Sequence, residues 1–221
     1  MRRRLLTRTT DNPTHRVPVQ DRAEKSRARI LHEARIVFAQ QGFDAANVRD
    51  IAAAAETRHS MIRYHFGSKE QLWREAVRDM FEVLDKAIDL DTADVPPIDG
   101  LEGFKDLLRR YIRHCAANPD HARIMVSEAM IGGERLQWIV DNFLIPRREA
   151  IAQRLVRAST LEQLPDLNPL SFLYITTSVC QMPFVLAHEV QALFGIDVRK
   201  PEIVDAHIES VLNLFFQYRA D

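Results

Sequence analysis

Apolar residues recur along almost the whole chain at steps of three and four, and this spacing limits the fold more than any other feature. Ile30, Leu31, Ala34, Val37 and Phe38 fall at offsets 0, 1, 4, 7 and 8, which is one face of a helix. Val48, Ile51, Ala52 and Ala55 repeat the pattern at 0, 3, 4 and 7. No segment sustains the apolar–polar alternation and β-branched content of a strand. The chain is therefore expected to be all-α, with about nine helices.

Capping and breaking residues place the helix ends. The first helix runs from Ser26 to Gly42, a C-terminal glycine. Asn47 is placed to cap the second, and the third covers about Arg58 to Phe66, with Ile62 and Phe66 as its inward pair. Gly67 breaks the chain, and Ser68 caps a long helix from Lys69 to about Leu90. Its expected inner face is Leu72, Trp73, Ala76, Val77, Met80, Phe81 and Leu84. Asp91–Gly100 is acidic, carries Pro96-Pro97 and reads as a linker. Five further helices are expected at 101–117, 120–131, 134–158, 169–194 and 202–219, with kinks at Pro146 and Pro183. Residues 1–22 are rich in Arg, Thr and Pro and read as a flexible basic arm.

Composition excludes several classes. The seven glycines build neither a G-x-G-x-x-G nor a G-x-x-x-x-G-K-[ST] phosphate loop. Two cysteines, Cys115 and Cys180, form no disulfide framework, and a reducing cytoplasm is expected. MRRRLL at the start is followed by a polar stretch, so it does not read as an export signal. Residues 167–188 carry no formal charge, but nine of those 22 are Asn, Ser, Thr, Gln, His or Pro. A helix buried by protein on more than one side is expected there, with no membrane partner. The net charge of −1 argues against a polyanion ligand until it is split. Residues 1–75 hold 15 Lys/Arg against 9 Asp/Glu, a net of +6, and the remainder carries −7. That asymmetry points to a polyanion-binding module joined to an acidic body.

Two short helices joined by a tight turn, behind a longer supporting helix, form a helix-turn-helix pattern. With Ile62 and Phe66 inward, the second short helix presents Arg58, His59, Ser60, Arg63 and Tyr64 outward, which suits contact with base edges and phosphates. Residues 26–72 resemble the DNA-binding domain of the tetracycline-repressor (TetR) family. The resemblance rests on Ser26-Arg27, Ile30-Leu31, Ala34, Phe38, Gly42-Phe43, Val48-Arg49-Asp50-Ile51-Ala52, Ala55, His65-Phe66, Ser68-Lys69-Glu70 and Leu72. The resemblance implies phosphate contacts from Asn47 and Lys69 and base contacts from Arg49, Arg58, His59 and Ser60. It also implies that Arg63, Tyr64 and His65 lie along the DNA backbone. The chain departs from the family at Glu56, where Gly is usual, and at Arg58, Ser60 and Arg63, which bear on the operator sequence. Arg2, Arg3, Arg4 and Arg8 of the arm are candidates for minor-groove or phosphate contact.

The resemblance implies an organisation of arm (1–22), DNA-binding head (23–72) and ligand-binding, dimer-forming body (73–221). It implies a homodimer on a palindromic double-stranded operator, released by a small apolar effector, with no catalytic activity and no cofactor. Phe104, Leu108, Tyr111, Met125, Met130, Trp138, Phe143, Phe172, Met182 and Phe184 are the candidate effector residues, because Met and aromatic side chains make adaptable pockets. Val204, Ile208, Val211, Leu212, Phe215 and Phe216, beside the uncharged 167–188 stretch, are the candidate dimer face. The alternative is a helical-bundle enzyme or metal-dependent protein using His, Asp and Glu of the body. His114, Cys115, Asp120 and His121 cluster but lack zinc-site spacing, and neither a Glu-x-x-His repeat nor a G-x-S-x-G elbow occurs. A redox switch through Cys115 and Cys180 is a minor reading.

Overall fold

A computed structural model describes residues 19–89, 100–157 and 168–216. Residues 1–18 of the expected arm, most of the Asp91–Gly100 linker and the last residues of the expected 134–158 and 202–219 helices lie outside the described residues, while residues 19–22, expected to belong to the arm, open the first helix. Every described element is helical. In chain order they are α1 (Val19–Ala45), α2 (Val48–Ala54), α3 (His59–Phe66), α4 (Lys69–Ala87), α5 (Gly100–Ala117) and α6 (Pro119–Ile131). There follow α7 (Glu134–Ile139), a π-helical turn (Val140–Leu144), α8 (Ile145–Arg157), α9 (Pro169–Val185), α10 (Ala187–Phe194) and α11 (Pro201–Phe216).

The spacing places the core. Ile30, Leu31, Ala34, Val37 and Phe38 of α1 are buried, as is the whole expected inner face of α4. Gly42 leaves the helical region at φ 72°, which only glycine adopts without strain, and redirects the end of α1. Ser68 caps α4 by accepting from the Gln71 amide at 3.0 Å. Trp73, nearly free of water, ties the layers together, with Phe43 against one side at 6.1 Å and Trp138 against another at 5.7 Å. Full burial of such side chains contributes about 1.5–3 kcal/mol each. Helix α4 packs on α1 and α3 at one end and on α5 further along, so it belongs to both halves of the chain.

Both expected proline kinks are present in altered form. Before Pro146 the helix widens: the Ile145 amide reaches Val140 O, five residues back, and α7 passes into α8 through the π turn. At Pro183 the missing N–H leaves Val179 O without its intrahelical donor. His207 Nε2 of α11 supplies one at 2.8 Å, and its ring meets Phe184 edge-on at 5.9 Å. The expected 169–194 helix then breaks at Leu186, with a bend of 64° between α9 and α10. Among the described residues no single helix is long and apolar enough to cross a membrane; only the bent α9–α10 pair passes such a test by length and composition.

Two expectations are corrected. Val204, Ile208, Val211, Leu212 and Phe215 are buried within the chain, where α11 packs on α5, and Phe216 meets Phe104 edge-on at 6.0 Å. The stripe is core because α5 offers a complementary apolar face that includes Phe104, Leu108 and Ile112. Helix α9 is the reverse case. Expected to be buried on more than one side, it buries Cys180 and Phe184 and leaves Leu170, Leu173, Tyr174 and Ile175 exposed.

Ion pairs fasten the first helices to the rest. Arg35 of α1, 6% exposed, reaches Asp79 of α4 at 3.0 Å and Asp120 of α6 at 3.2 Å. Arg135 holds the buried Glu128 of α6 at 3.1 Å and covers the Phe43 ring at 4.3 Å. Replacing Arg35 by Met strands two carboxylates and is expected to cost about 3–5 kcal/mol, at the lower end because the Asp79 side chain is 34% exposed. Urea unfolding measures this; an unchanged midpoint would show the pair to be screened by solvent.

Candidate nucleic-acid interface and bundle interior

The outward face of α3 is built by what lies beneath it. Ile62 and Phe66 are buried, so Arg58, His59, Ser60, Arg63 and Tyr64 stand in solvent, with Tyr64 77% exposed. Arg58 is the N-cap in extended conformation with no side-chain cap bond, which leaves the first α3 amides open at the positive end of the helix. In the turn before it, Glu56 has φ 46°, the left-handed conformation that explains why the family favours glycine there. Arg29 of α1 holds this residue through its carboxylate and carbonyl, both at 3.4 Å.

The other expected contact residues differ in how free they are. Arg49 is exposed on α2. Asn47 is exposed, but its Oδ1 caps α2 by accepting from the Arg49 amide at 2.9 Å, which leaves its amide group to face outward contacts. Lys69 is partly buried, donates to Asp44 O at 3.1 Å and lies 4.8 Å from the Phe43 ring centre. His65 is also partly buried; burial and the Arg27 charge lower its pKa, and its Nε2 has no partner. Arg27 was not singled out by spacing, yet it organises this end of the molecule. It pairs with Glu75 of α4 at 2.6 Å and covers the Phe66 ring at 5.4 Å, so one cation joins α1, α3 and α4.

The ten candidate effector residues fall into separate packing groups. Phe104 and Phe172 stack at 6.2 Å, with Phe215 and Phe216 around them. Leu108 is buried on α5 with Phe104. Trp138 and Phe143 belong to a second group with Trp73 and Phe81. Tyr111 accepts a hydrogen bond from Gln181, Phe184 packs on His207, and Met125 and Met182 are partly buried. Met130 is 83% exposed at the end of α6 and so lines no enclosed cavity; its helix position carries it past the packed face. A cleft of about 300 Å³ between α1, α6 and α10 is lined by Gln40, Arg123, His188, Gln191 and Arg199, and of the ten only Phe184 borders it.

The His114–His121 neighbourhood comes together after all, from two helices. His114 of α5 and His121 of α6 are 5% and 7% exposed, with ring centres 5.7 Å apart. Among the described residues no group of three His, Cys, Asp or Glu is arranged to hold a metal. Both cysteines are free and buried. Burial pushes the Cys180 thiol up to about 12 and the Cys115 thiol higher, which is opposite to a reactive thiolate.

A helix-turn-helix with an exposed, cationic second helix, set on a helical bundle, defines a DNA-binding regulator. Residues 30–76 match the model described as bacterial regulatory proteins, tetR family, and residues 101–214 match the tetracyclin repressor-like C-terminal domain. The chain belongs to the TetR family of DNA-binding transcriptional regulators. It is 30% identical over 115 residues to the HTH-type transcriptional repressor NicS of Pseudomonas putida, a match covering 50% of this chain and 51% of that one. The chain thus spans about half the length of that relative. A TetR-like regulator from Rhodococcus sp. RHA1 shares the fold at TM-score 0.56 and 22% identity, over 90% of this chain and 96% of that one. The ketosteroid regulator KstR2 of Mycobacterium tuberculosis does so at TM-score 0.56 and 21% identity, over 86% and 96%.

The two buried imidazoles make stability pH-dependent. Burial is the main cause of both shifts, to about 4 for His114 and about 3 for His121, from 6.5. Between those values and 6.5 the unfolded chain binds protons that the folded chain refuses. Their contribution is therefore complete above about pH 6.5 and is lost as pH falls toward 4. Urea midpoints should drop across pH 6.5–4.5, and a His114→Gln/His121→Gln double variant should flatten that slope.

Proposed function

We propose that the protein is a cytoplasmic, homodimeric repressor that binds a palindromic double-stranded operator and is released by a small, mainly apolar effector in its C-terminal bundle. The observation that carries the reading is the α3 face, where Arg58, His59, Ser60, Arg63 and Tyr64 are exposed side by side over a buried Ile62–Phe66 anchor. On this reading residues 1–22 are the basic arm, 23–72 the reading head and 73–221 the effector and dimer body. Arg49, Arg58, His59 and Ser60 read bases; Asn47, Arg63, Tyr64, His65 and Lys69 position the DNA backbone.

One α3 reads few base pairs, so specificity calls for a second head about one DNA turn, ~34 Å, away. The apolar α9 face of Leu170, Leu173 and Tyr174, at helical steps of three and four and exposed within one chain, supports pairing through α9 rather than α11. The effector acts only through its different affinity for two arrangements of the heads, shifting α4 against the bundle so that operator spacing is lost.

Gel-shift titration on the protein's own promoter tests the readout. Arg58→Ala or Arg49→Ala is expected to weaken specific binding about tenfold to a hundredfold, from the ~1–3 kcal/mol of a bidentate base contact. Unchanged affinity for both would sink the assignment. Leu173→Glu with Tyr174→Glu is expected to shift the sedimentation profile from dimer to monomer and to weaken operator binding with it. A dimer that persists would move the interface elsewhere.

A further inference from the structure

A buried polar atom that makes no hydrogen bond costs about 1–3 kcal/mol, so such atoms are rare and need a reason. Among the described residues seven buried side-chain atoms have no hydrogen-bond partner, and four share one neighbourhood: Arg35 Nε, His114 Nε2, Asp120 Oδ2 and His121 Nδ1. Arg35 Nε and Asp120 Oδ2 lie 3.2 Å apart as an ion pair whose angle makes no hydrogen bond. Asp120 and His121 are consecutive in α6, and the His121 ring meets His114 of α5. The neighbourhood has an aromatic wall: Phe81 lies edge-on to His121 at 5.0 Å, and Phe143 stacks on Phe81 at 4.6 Å.

The free valences have a definite pattern. Asn118 Nδ2 donates to His114 O at 3.2 Å and also lies 3.5 Å from His114 Nδ1; in the tautomer where Nδ1 accepts from it, the ring proton is on Nε2. Two donors (Arg35 Nε–H and His114 Nε2–H), one carboxylate acceptor (Asp120 Oδ2) and one imidazole nitrogen of either role (His121 Nδ1) are therefore open. The charges facing them are Arg35, Asp79 and Asp120, with Arg147 already paired to Asp85. With both rings neutral the local sum is −1, which disfavours a carboxylate. A hydrocarbon would leave every valence open. A hydroxyl accepts twice and donates once, which matches two N–H groups and one carboxylate oxygen.

We propose that this cluster is the polar seat of the effector site and takes a neutral, hydroxyl-bearing and otherwise apolar molecule. Its hydroxyl lies among Arg35, Asp120 and His114, and its apolar part lies against Phe81 and Phe143. The inference rests on the effector-responsive reading above and adds to it the chemical class of the ligand and the point where its signal enters. Arg35 is on α1 and Asp120 on α6, so a hydroxyl that competes for Asp120 loosens the fastening between the DNA-binding head and the bundle.

The test uses the full chain, an operator fragment and three probes: phenol, benzene and benzoate. Imidazole 1H–15N spectra, thermal shifts and gel shifts are read together. Phenol is expected to move the His114 and His121 ring signals and to bind about tenfold tighter than benzene, the worth of one net hydrogen bond, with benzoate weakest. His114→Leu should lower phenol affinity about tenfold while raising the melting temperature of the unliganded protein, because an orphaned polar atom is replaced by an apolar one. His114→Gln, which keeps a donor, should recover part of the affinity. Equal binding of phenol and benzene, tightest binding of benzoate, or ring signals that stay silent because buried water alone fills the cluster would each overturn the proposal. Phenol that moves the ring signals yet leaves operator affinity unchanged would instead defeat the effector-responsive reading and leave the site standing.

Discussion

Arg35 stands where α1, α4 and α6 meet, and the relation of the first three helices to the rest depends on it. It faces Asp79 and Asp120 together, almost out of water. Burying Arg35 and Asp120 costs several kcal/mol per ion before their attraction returns it, so such a group contributes more to which surfaces meet than to net stability. Helix α6 is fastened to the same neighbour at both ends. Asp120 lies at its start, and near its end Glu128 is held by Arg135, which also sits on Phe43 just beyond the Gly42 bend of α1. An element pinned at two points moves as a unit. A displacement of α6 is therefore felt along α1, whose Arg27 covers Phe66 of α3.

The helices themselves were legible because each leaves a local trace. The buried faces of α1 and α4 were read residue by residue, and Asn47, Ser68 and Gly67 do mark helix ends. Interruptions were harder to read. Pro146 and Pro183 announce a disturbance, but whether a helix widens into a π turn or breaks three residues later depends on what satisfies the freed carbonyl. For Val179 that group is His207, 28 residues away. Partners were less legible still. An apolar stripe shows that a face is covered and says nothing of what covers it. The α11 stripe and the α9 stripe look alike in sequence, yet one is sealed by α5 and the other is open.

The candidate DNA face was legible for a different reason. Exposure on a short amphipathic helix follows from its anchors, and Ile62 with Phe66 left few ways to orient α3. Spacing missed the supports, Arg27 and Arg29, which lie more than 25 residues from their partners Glu75 and Glu56. Long-range ion pairs carry no periodicity. The same holds inside the bundle, where His114, Asp120 and His121 gained a partner in Arg35, a residue that reads in sequence as an ordinary polar position of α1.

The distribution of unpaired groups separates two ways of filling a helical core. Near Phe104, Phe172 and Phe216 the interior is aromatic and closed, the arrangement that stability alone favours. Across the α1–α6 contact the interior is polar and incompletely bonded, although apolar residues of similar volume would remove the unmade bonds. A fold that keeps this more costly arrangement where α1 meets α6 keeps a charged junction with unmade hydrogen bonds. On the proposed reading a small oxygen-bearing group shifts it with the energy of one or two hydrogen bonds, whereas the aromatic interior would demand a rearrangement of the whole packing. On that reading responsiveness and instability fall at the same place because both come from the same unmade bonds.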